Sequence, residues 1–475
     1  MTDNDAGRQS ILLFGIQFTA RIVGFLGLVY FTKVIPQSRL DIYFLFFLVI
    51  QVSSLVGNLG MGQALVQRIG EGERRSELFT VGLVVITVVS LFATAIFYFF
   101  ENPITNYVGA SVPGLLALAT GTWLVADLFI KTLQAEDRVL TSGFLQLLQD
   151  IVRVGVGAAL ITVGYGPKGL MYGVIAGFVA TIIIAFPLSN LSVAIPARSD
   201  FRRVFSISRY TMFFGPTNFI YFWLDTFLIG VFLADGAVSS YEVAWQTTRV
   251  LIIATTAINM TIFPKVSRWA NDDEFDEIER IVPGAIIFGL IFPIPGLVGL
   301  TVLGEDILRV VYQPEYVEAA IPLVILAGYM AVESVQRVGN SLLTGMDRAD
   351  IPFRSRLVGV TLAIVLNLVL ISRYGLIGAA VATLTSKFVD TVYQWIAIRS
   401  LLDLRIPLKS LSWQLGSAVA MGLTIAGFAT VFQPTSMVRI AVVVLLGVVV
   451  YSGLVLVDPD IREVVVQYIP VPVKG

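Results

Sequence analysis

Ten charged residues lie near the middle of long apolar stretches, and their types and spacing could do chemistry. A charge at the centre of a bilayer costs about 2.5–3.5 kcal/mol on insertion scales, and such residues normally face a bundle interior or a wet cavity. Ten of them predict a water-filled path inside a helical bundle. The basic residues are Arg21, Arg153, Arg249, Arg337 and Lys387, and the acidic residues are Asp127, Asp150, Asp225, Glu333 and Asp390.

Spacing divides these residues into two groups. Six of them form pairs three or four positions apart, where side chains share a helix face and opposite charges neutralise each other. We interpret these as structural ion pairs that line a hydrated seam. The pairs are Asp150 with Arg153, Glu333 with Arg337, and Lys387 with Asp390.

Arg21 and Arg249 have no acidic residue three or four positions away in their own helices. Each therefore needs a partner on another helix or an anion from a ligand. We predict an anion-binding pair, because one residue lies in each half of the chain and both could meet at a central cleft. Asp225 and Asp127 are left with two interpretations: structural counter-charges, or, for Asp225, a group that couples Na⁺ or H⁺.

Glycine and proline mark two candidate hinges. Gly215-Pro216 falls inside a predicted span, where proline removes a backbone donor and bends or breaks a helix. Gly24 and Gly27 lie in the first span, where small residues allow close helix contact or bending. We predict that both spans are moving elements, with ordinary glycine packing as the alternative for the first.

The elements that carry these residues are membrane helices. The chain is 56% hydrophobic and 14% charged over 475 residues, whereas soluble domains carry about 25% charged residues. With no cysteine and no histidine, thiol chemistry and the usual metal ligands are excluded, and no metal site or cofactor is expected. Fourteen apolar runs approach the roughly 20 residues that span a bilayer: 10–34, 41–65, 78–100, 114–135, 140–164, 169–189, 209–233, 240–264, 281–303, 319–345, 352–373, 375–398, 412–432 and 437–457.

The connections between spans predict the orientation. The N-terminus, the even-numbered connections and the C-terminal tail hold 21 Lys or Arg residues, and the odd-numbered connections hold six. Such an excess marks the cytoplasmic side. We therefore expect a multi-pass protein of the cell membrane with both termini in the cytoplasm.

A repeat of roughly 200 residues organises the chain. Asp137-Arg138 returns as Asp347-Arg348, and Tyr165-Gly166 returns as Tyr374-Gly375. A fainter echo links Tyr43 to Tyr241. An all-α fold of two six-helix lobes about a pseudo-two-fold axis is expected, as in parallel-repeat transporters. The predicted parts are an N-lobe at 1–195, a C-lobe at 196–400, and two extra helices with a tail at 401–475.

Several segments resemble the oligosaccharide-lipid and polysaccharide flippases of the multidrug/oligosaccharidyl-lipid/polysaccharide exporter superfamily. They are residues 19–68, NFIYFWLDTFLIGVFL (218–233), INMTIFPKVSRW (258–269), LLTGMDR (342–348) and YGLIGAAVAT (374–383).

The resemblance implies two six-helix lobes that alternate between inward-open and outward-open states. It also implies a cationic cavity for the phosphate and sugars of a polyprenol-linked glycan, with Arg21 and Arg249 on the phosphate. Arg153, Arg337 and Lys387 would extend the polar lining. The balance of five basic and five acidic residues departs from a net cationic cavity, so the three pairs must cancel.

The leading hypothesis is therefore a lipid-linked glycan flippase for cell-surface polysaccharide or glycoprotein assembly. It would not be an enzyme, and it would have no nucleic-acid partner. A glycan polymerase or glycosyltransferase is the expected protein partner. Three alternatives stay open: an ion-coupled exporter of small molecules with the same fold, a membrane-embedded glycosyltransferase or polymerase, and a passive scaffold. The short connections and the absent histidine argue against the enzyme.

Overall fold

The structure is a computed structural model that describes the backbone of residues 3–58, 61–72, 74–189, 192–211 and 214–468. The described chain is helical. Its helices are α1 (Asp3–Val34), α2 (Gln37–Asn58), α3 (Met61–Gly70), α4 (Arg75–Phe99), α5 (Glu101–Val108), α6 (Pro113–Ala135), α7 (Val139–Thr162), α8 (Pro167–Leu188), α9 (Arg198–Thr211), α10 (Phe214–Phe232), α11 (Ala237–Thr248), α12 (Ile253–Asn271), α13 (Phe275–Gly289), α14 (Pro293–Ile307), α15 (Ala320–Gly345), α16 (Asp350–Leu401), α17 (Leu408–Phe432), α18 (Met437–Val455) and α19 (Pro459–Tyr468).

Ten helical runs among the described residues are long and apolar enough to cross a membrane. One of them, Asp350–Leu401, holds two predicted spans, because Gly375 leaves the helical conformation between them (φ 57°, ψ −134°). The predicted spans outside these ten runs fall on α2, α10, and α11 with α12. The chain is thus a multi-pass α-helical membrane protein, as its sequence predicts.

The second predicted span, 41–65, falls on α2 and the start of α3. The described residues of α2 run to Asn58 and those of α3 begin at Met61, so the point where this span ends stays a prediction. Ala64 and Leu65 in α3 extend the apolar run in the sequence, but both are buried in a protein core. Apolar content alone does not distinguish a lipid-facing helix from a short helix buried on one face.

The sequence repeat is also a repeat of backbone conformation. Asp137 and Asp347 both end a helix in the left-handed region, with φ of 58° and 59°. Gly166 (φ 55°, ψ −140°) and Gly375 (φ 57°, ψ −134°) share a second positive-φ region, which is open to glycine but strained for other residues. Four unusual conformations at matching positions therefore confirm that the two segments are copies of one unit.

Small residues hold the two helices of each copy close together. In α8 they recur every four residues, and a Cβ added at Gly173 would stand 2.5 Å from the backbone oxygen of Arg153 in α7. Such spacing lets the backbones of membrane helices approach closely. The positions in α8 are Gly169, Gly173 and Gly177, and their counterparts in α16 are Gly378, Ala382 and Ser386.

The chain forms two compact units, Met1–Ser239 (unit 1) and Ser240–Gly475 (unit 2). The core of unit 1 includes Leu78, Leu128 and Leu133. Unit 2 has one core around Ile258, Val282 and Leu342, and a second in which α17 and α18 pack with α14 around Leu303, Met421 and Val443. The predicted lobe boundaries at 195/196 and 400/401 stay a prediction. By its contacts, α10 belongs to unit 1.

Candidate anion-binding sites in the membrane spans

Arg153, in the middle of α7, is one of the candidate cations of unit 1. Its Nη2 donates to Asp150 Oδ1 at 2.8 Å, and its Nη1 donates to the hydroxyl of Tyr43 on α2 at 3.2 Å. The predicted pair of Asp150 with Arg153 is therefore present. About a quarter of the Arg153 side chain is exposed. A guanidinium that is oriented on one side and exposed on the other can bind a second anion.

Gly24 and Gly27 face this site from α1. A Cβ at Gly24 would stand 4.0 Å from Arg153 Nη2, and a Cβ at Gly27 would stand only 2.7 Å from the side chain of Val154. The close-contact interpretation therefore holds for Gly27, and a hinge role stays a prediction. Arg21 is exposed and lies three residues before Gly24, so the helix repeat places it on the same face of α1.

Unit 2 holds a three-residue charge cluster that spans two helices. Glu333 Oε1 on α15 accepts a bond from Arg337 Nε at 2.7 Å, and Glu333 Oε2 lies 2.5 Å from Lys387 Nζ on α16. Lys387 also donates to Gln336. The sequence predicts the pair of Glu333 with Arg337, which is present, but it gives no sign that Lys387 joins Glu333. One carboxylate therefore serves two cations. The predicted pair of Lys387 with Asp390 stays a prediction.

Aromatic rings extend the cluster to Arg249. The guanidinium of Arg249 lies 5.8 Å from the centre of the Trp245 ring, and Trp245 packs against Tyr329 with ring centres 5.1 Å apart. Lys387 Nζ lies 5.5 Å from the centre of that Tyr329 ring. Cations are attracted to the faces of aromatic rings at such distances. Two candidate cations thus lie on one continuous aromatic path within unit 2.

Arg249 also lies where a predicted span is interrupted. The span expected at 240–264 consists of α11, a 3₁₀ turn over Arg249–Ile252, and α12. A short 3₁₀ segment within a helix often marks a hinge, because it changes the direction of the backbone hydrogen bonds. The residue that contacts Arg249 is Trp245, four positions earlier in the sequence, and its ring carries no charge.

The remaining predicted residues are placed separately. Asp225 on α10 is buried, and its Oδ1 accepts the backbone N–H of Thr226 at 2.9 Å. Asp127 is half-buried on α6. Gly215 and Pro216 belong to α10, and their surroundings lie outside the described residues. Their roles in coupling and bending stay predictions.

Sequence reasoning missed four residues that hold the cations in place: Tyr43, Trp245, Tyr329 and Gln336. A usable signal was the faint echo of Tyr43 in Tyr241. Tyr43 supports Arg153 in unit 1, and Tyr241 stacks on Trp245 in unit 2 at 6.4 Å between ring centres. Tyr43 thus contacts a cation directly, and Tyr241 contacts the aromatic ring beside one. Among the described residues, no group of three or more acidic side chains could hold a metal ion.

A profile of the family described as polysaccharide biosynthesis protein matches residues 40–321, which is more than half of the chain. The chain belongs to this polysaccharide biosynthesis family. It is 29% identical to the probable low-salt glycan biosynthesis flippase Agl15 of Haloferax volcanii, over 462 residues and 97% of each chain. It is 28% identical to the probable flippase AglR of the same organism, over 472 residues, 97% of this chain and 98% of the relative.

The fold of this polysaccharide biosynthesis family member is shared with a solved flippase structure. The lipid II flippase MurJ in an inward closed conformation superposes on 96% of this chain and 100% of its own, with a TM-score of 0.77 at 19% identity. At that identity the likeness shows the fold alone. The all-α fold expected from the sequence is thereby confirmed. The family match and the two flippase relatives confirm the resemblance that the sequence shows.

Proposed function

We propose that this protein is a flippase that carries a lipid-linked sugar or oligosaccharide across the membrane by alternating access. The lipid would be a polyprenyl or dolichyl phosphate, moved from the cytoplasmic to the outer leaflet for cell-surface polysaccharide or glycoprotein assembly. Full-length similarity to two proteins named as flippases supports this proposal. The family described as polysaccharide biosynthesis protein supports the glycan as cargo.

One observation carries the chemistry of the proposal. Each unit contains, within an apolar helix, a guanidinium that a carboxylate orients and that stays partly exposed: Arg153 at 25% and Arg337 at 34% of the side chain. Guanidinium groups bind phosphate with paired, charge-assisted hydrogen bonds. An oriented arginine inside a membrane span is thus suited to a phosphate group that must pass through the bilayer.

The other predicted residues have defined roles in this proposal. Arg21 and Arg249 engage the phosphate or diphosphate, and Lys387 extends the polar lining. Asp225 is the candidate for Na⁺ or H⁺ coupling, and Asp127 is a counter-charge. Both termini lie in the cytoplasm of a cell-membrane protein, and a glycan polymerase or glycosyltransferase receives the exported glycan.

A cell-based glycan-export assay tests the proposal. Wild type is compared with Arg21→Ala, Arg249→Ala, Arg153→Ala and Arg337→Ala at matched membrane abundance. Lipid-linked glycan should accumulate on the cytoplasmic side in the arginine variants, because the phosphate loses its counter-charge. Arg280→Ala is the matched control, since the Arg280 side chain is 71% exposed and pairs only locally with Glu277 among the described contacts.

Normal export by every one of the four arginine variants would contradict the phosphate-binding site. Loss of transport in Asp225→Asn alone would favour an ion-coupled exporter of small cations, because an acidic site attracts cationic cargo. In that case the same cells would export a cationic dye, and this activity would depend on Asp225.

A further inference from the structure

Residues 192–205, between α8 and α10, have some side chains packed against unit 1 and others exposed. Val204 in α9 is fully buried in the core of unit 1, and Phe201 packs against the same core. The opposite side of α9 carries exposed Arg202 and Arg203. This helix is therefore amphipathic, with one side fixed to the protein and a basic side left outward.

An ion pair fixes the start of α9. Arg74 donates from Nε and Nη2 to the two carboxylate oxygens of Asp200, at 2.9 and 2.8 Å, and the Ala197 N–H donates to Oδ2 at 2.7 Å. Burial raises the pKa of Asp200, but these hydrogen bonds outweigh it and leave the pKa below the ordinary 3.8. The carboxylate is therefore charged at neutral pH, and the clamp to Arg74 is closed.

The preceding segment turns two large apolar side chains outward. The Ala194 N–H donates to Thr80 Oγ1 at 3.1 Å, which fixes residue 194 against α4. Val193 and Ile195 lie on either side of Ala194 and are 71% and 94% exposed. The described residues therefore leave most of both side chains uncovered.

The position of this segment relates it to the bilayer surface. Membrane helix α8 ends at Leu188, and Ser192 follows four residues later, so the segment begins within about 14 Å of the helix end. The headgroup layer adds roughly 5–8 Å to each side of the hydrocarbon core. The segment therefore begins within reach of the headgroup layer, where apolar side chains contact lipid tails and arginines contact phosphates.

We propose that residues 192–205 form a lipid-binding surface that docks on anionic phospholipid. Val193 and Ile195 insert into the interfacial layer, and Arg198, Arg202 and Arg203 bind the phosphate headgroups. The three arginines are all exposed on the outer side of the segment. Combined apolar insertion and arginine attraction is the usual basis of binding at membrane interfaces. This surface is independent of the proposed glycan transport.

The absence of cysteine from the chain permits a direct test. Ile195→Cys is labelled with an environment-sensitive nitrobenzoxadiazole probe, and the full-length protein is reconstituted in vesicles of phosphatidylcholine alone or mixed with phosphatidylglycerol. The emission should shift to the blue in the anionic vesicles, and lipid carrying a nitroxide near the headgroup should quench it. Val193→Cys is a second reporter if the first variant does not fold. Asp276→Cys, exposed in an acidic stretch, is the matched control.

The arginines are tested in the same preparation. Replacing Arg202 or Arg203 by Gln should lower the inserted-to-free ratio of the probe about fivefold for each arginine lost, and added salt should act in the same direction. Two results would overturn the proposal. One is water-like emission in both kinds of vesicle. The other is a blue shift that the nitroxide-carrying lipid does not quench and that the arginine substitutions leave unchanged, because protein would then be the occupant.

Discussion

Replacing Glu333 by Gln tests whether one buried carboxylate holds two cations. The substitution keeps the shape of the side chain and removes the charge that faces Arg337 and Lys387. Lys387 keeps its hydrogen bond to Gln336. However, its side chain is only 5% exposed, so water cannot replace the lost counter-charge.

The expected magnitude follows from that burial. Removing one partner of a buried ion pair typically costs 3–5 kcal/mol, because the other charge stays buried. Arg337 is one-third exposed and regains water, so Lys387 accounts for most of the effect. Glu333→Gln should therefore lower the free energy of unfolding by about 3 kcal/mol. Lys387→Met should cost only about 1 kcal/mol, because Glu333 keeps Arg337.

Unfolding in mixed detergent micelles, titrated with dodecyl sulfate and followed by circular dichroism, measures both values. The double variant should be nearly as stable as Lys387→Met, which gives a coupling energy of about 2–3 kcal/mol between the two residues. Equal losses in the two single variants, or additive losses in the double variant, would refute the shared carboxylate. A stable Glu333→Gln protein would refute it as well.

Three further predictions concern the scaffold and can use the same unfolding assay. Gly378→Ala should cost about 3 kcal/mol, because its Cβ would stand 2.0 Å from the oxygen of Leu370. Gly155→Ala should instead raise the free energy of unfolding by about 0.5–1 kcal/mol, because no atom lies within 4 Å of its added Cβ. Similar effects of the two substitutions would mean that the backbone is not tightly packed at Gly378. Asp137→Val and Asp347→Val should each lower the free energy of unfolding by about 1–2 kcal/mol, because both aspartates have left-handed backbone conformations. Clearly unequal losses would contradict the repeat. The lowered pKa of Asp200 means that its contribution is present above pH 3.8 and is lost as the pH falls through the folded-state value. Asp200→Asn should therefore lower thermal stability at neutral pH and flatten the acid-induced loss; a variant that matches wild type at both pH values would rule out the clamp to Arg74.

The sequence predicts most of the fold because hydrophobic length and turn chemistry are local properties. Gly375 divides a 52-residue helical run at the turn that the repeat predicts. The burial of Leu65 is not predictable in this way, since an apolar residue in a protein core looks the same in the sequence as one that faces lipid. The 3₁₀ turn over Arg249–Ile252 is not predictable from the sequence either, because the three residues after Arg249 are as apolar as those of a continuous helix.

The candidate site is predictable only where its contacts are local. Asp150 with Arg153 and Glu333 with Arg337 follow from helix spacing, and both pairs are present. The ion pair of Lys387 with Glu333 joins two residues that are 54 positions apart in the sequence and lie on different helices, so no single-helix pattern encodes it. The aromatic support of Arg249 escaped prediction for a different reason: Trp245 has the right spacing but carries no charge.

The most direct test of the central claim is translocation by the purified protein. Vesicles containing it receive a fluorescent polyprenyl-phosphate-linked sugar in one leaflet, and a membrane-impermeant quencher reports the share that reaches the other. The account predicts transbilayer movement by wild type, and by Arg280→Ala, with strongly reduced movement by a variant that combines Arg153→Ala with Arg337→Ala. Movement at the rate of protein-free vesicles in the wild-type sample, or undiminished movement in the double variant, would contradict it.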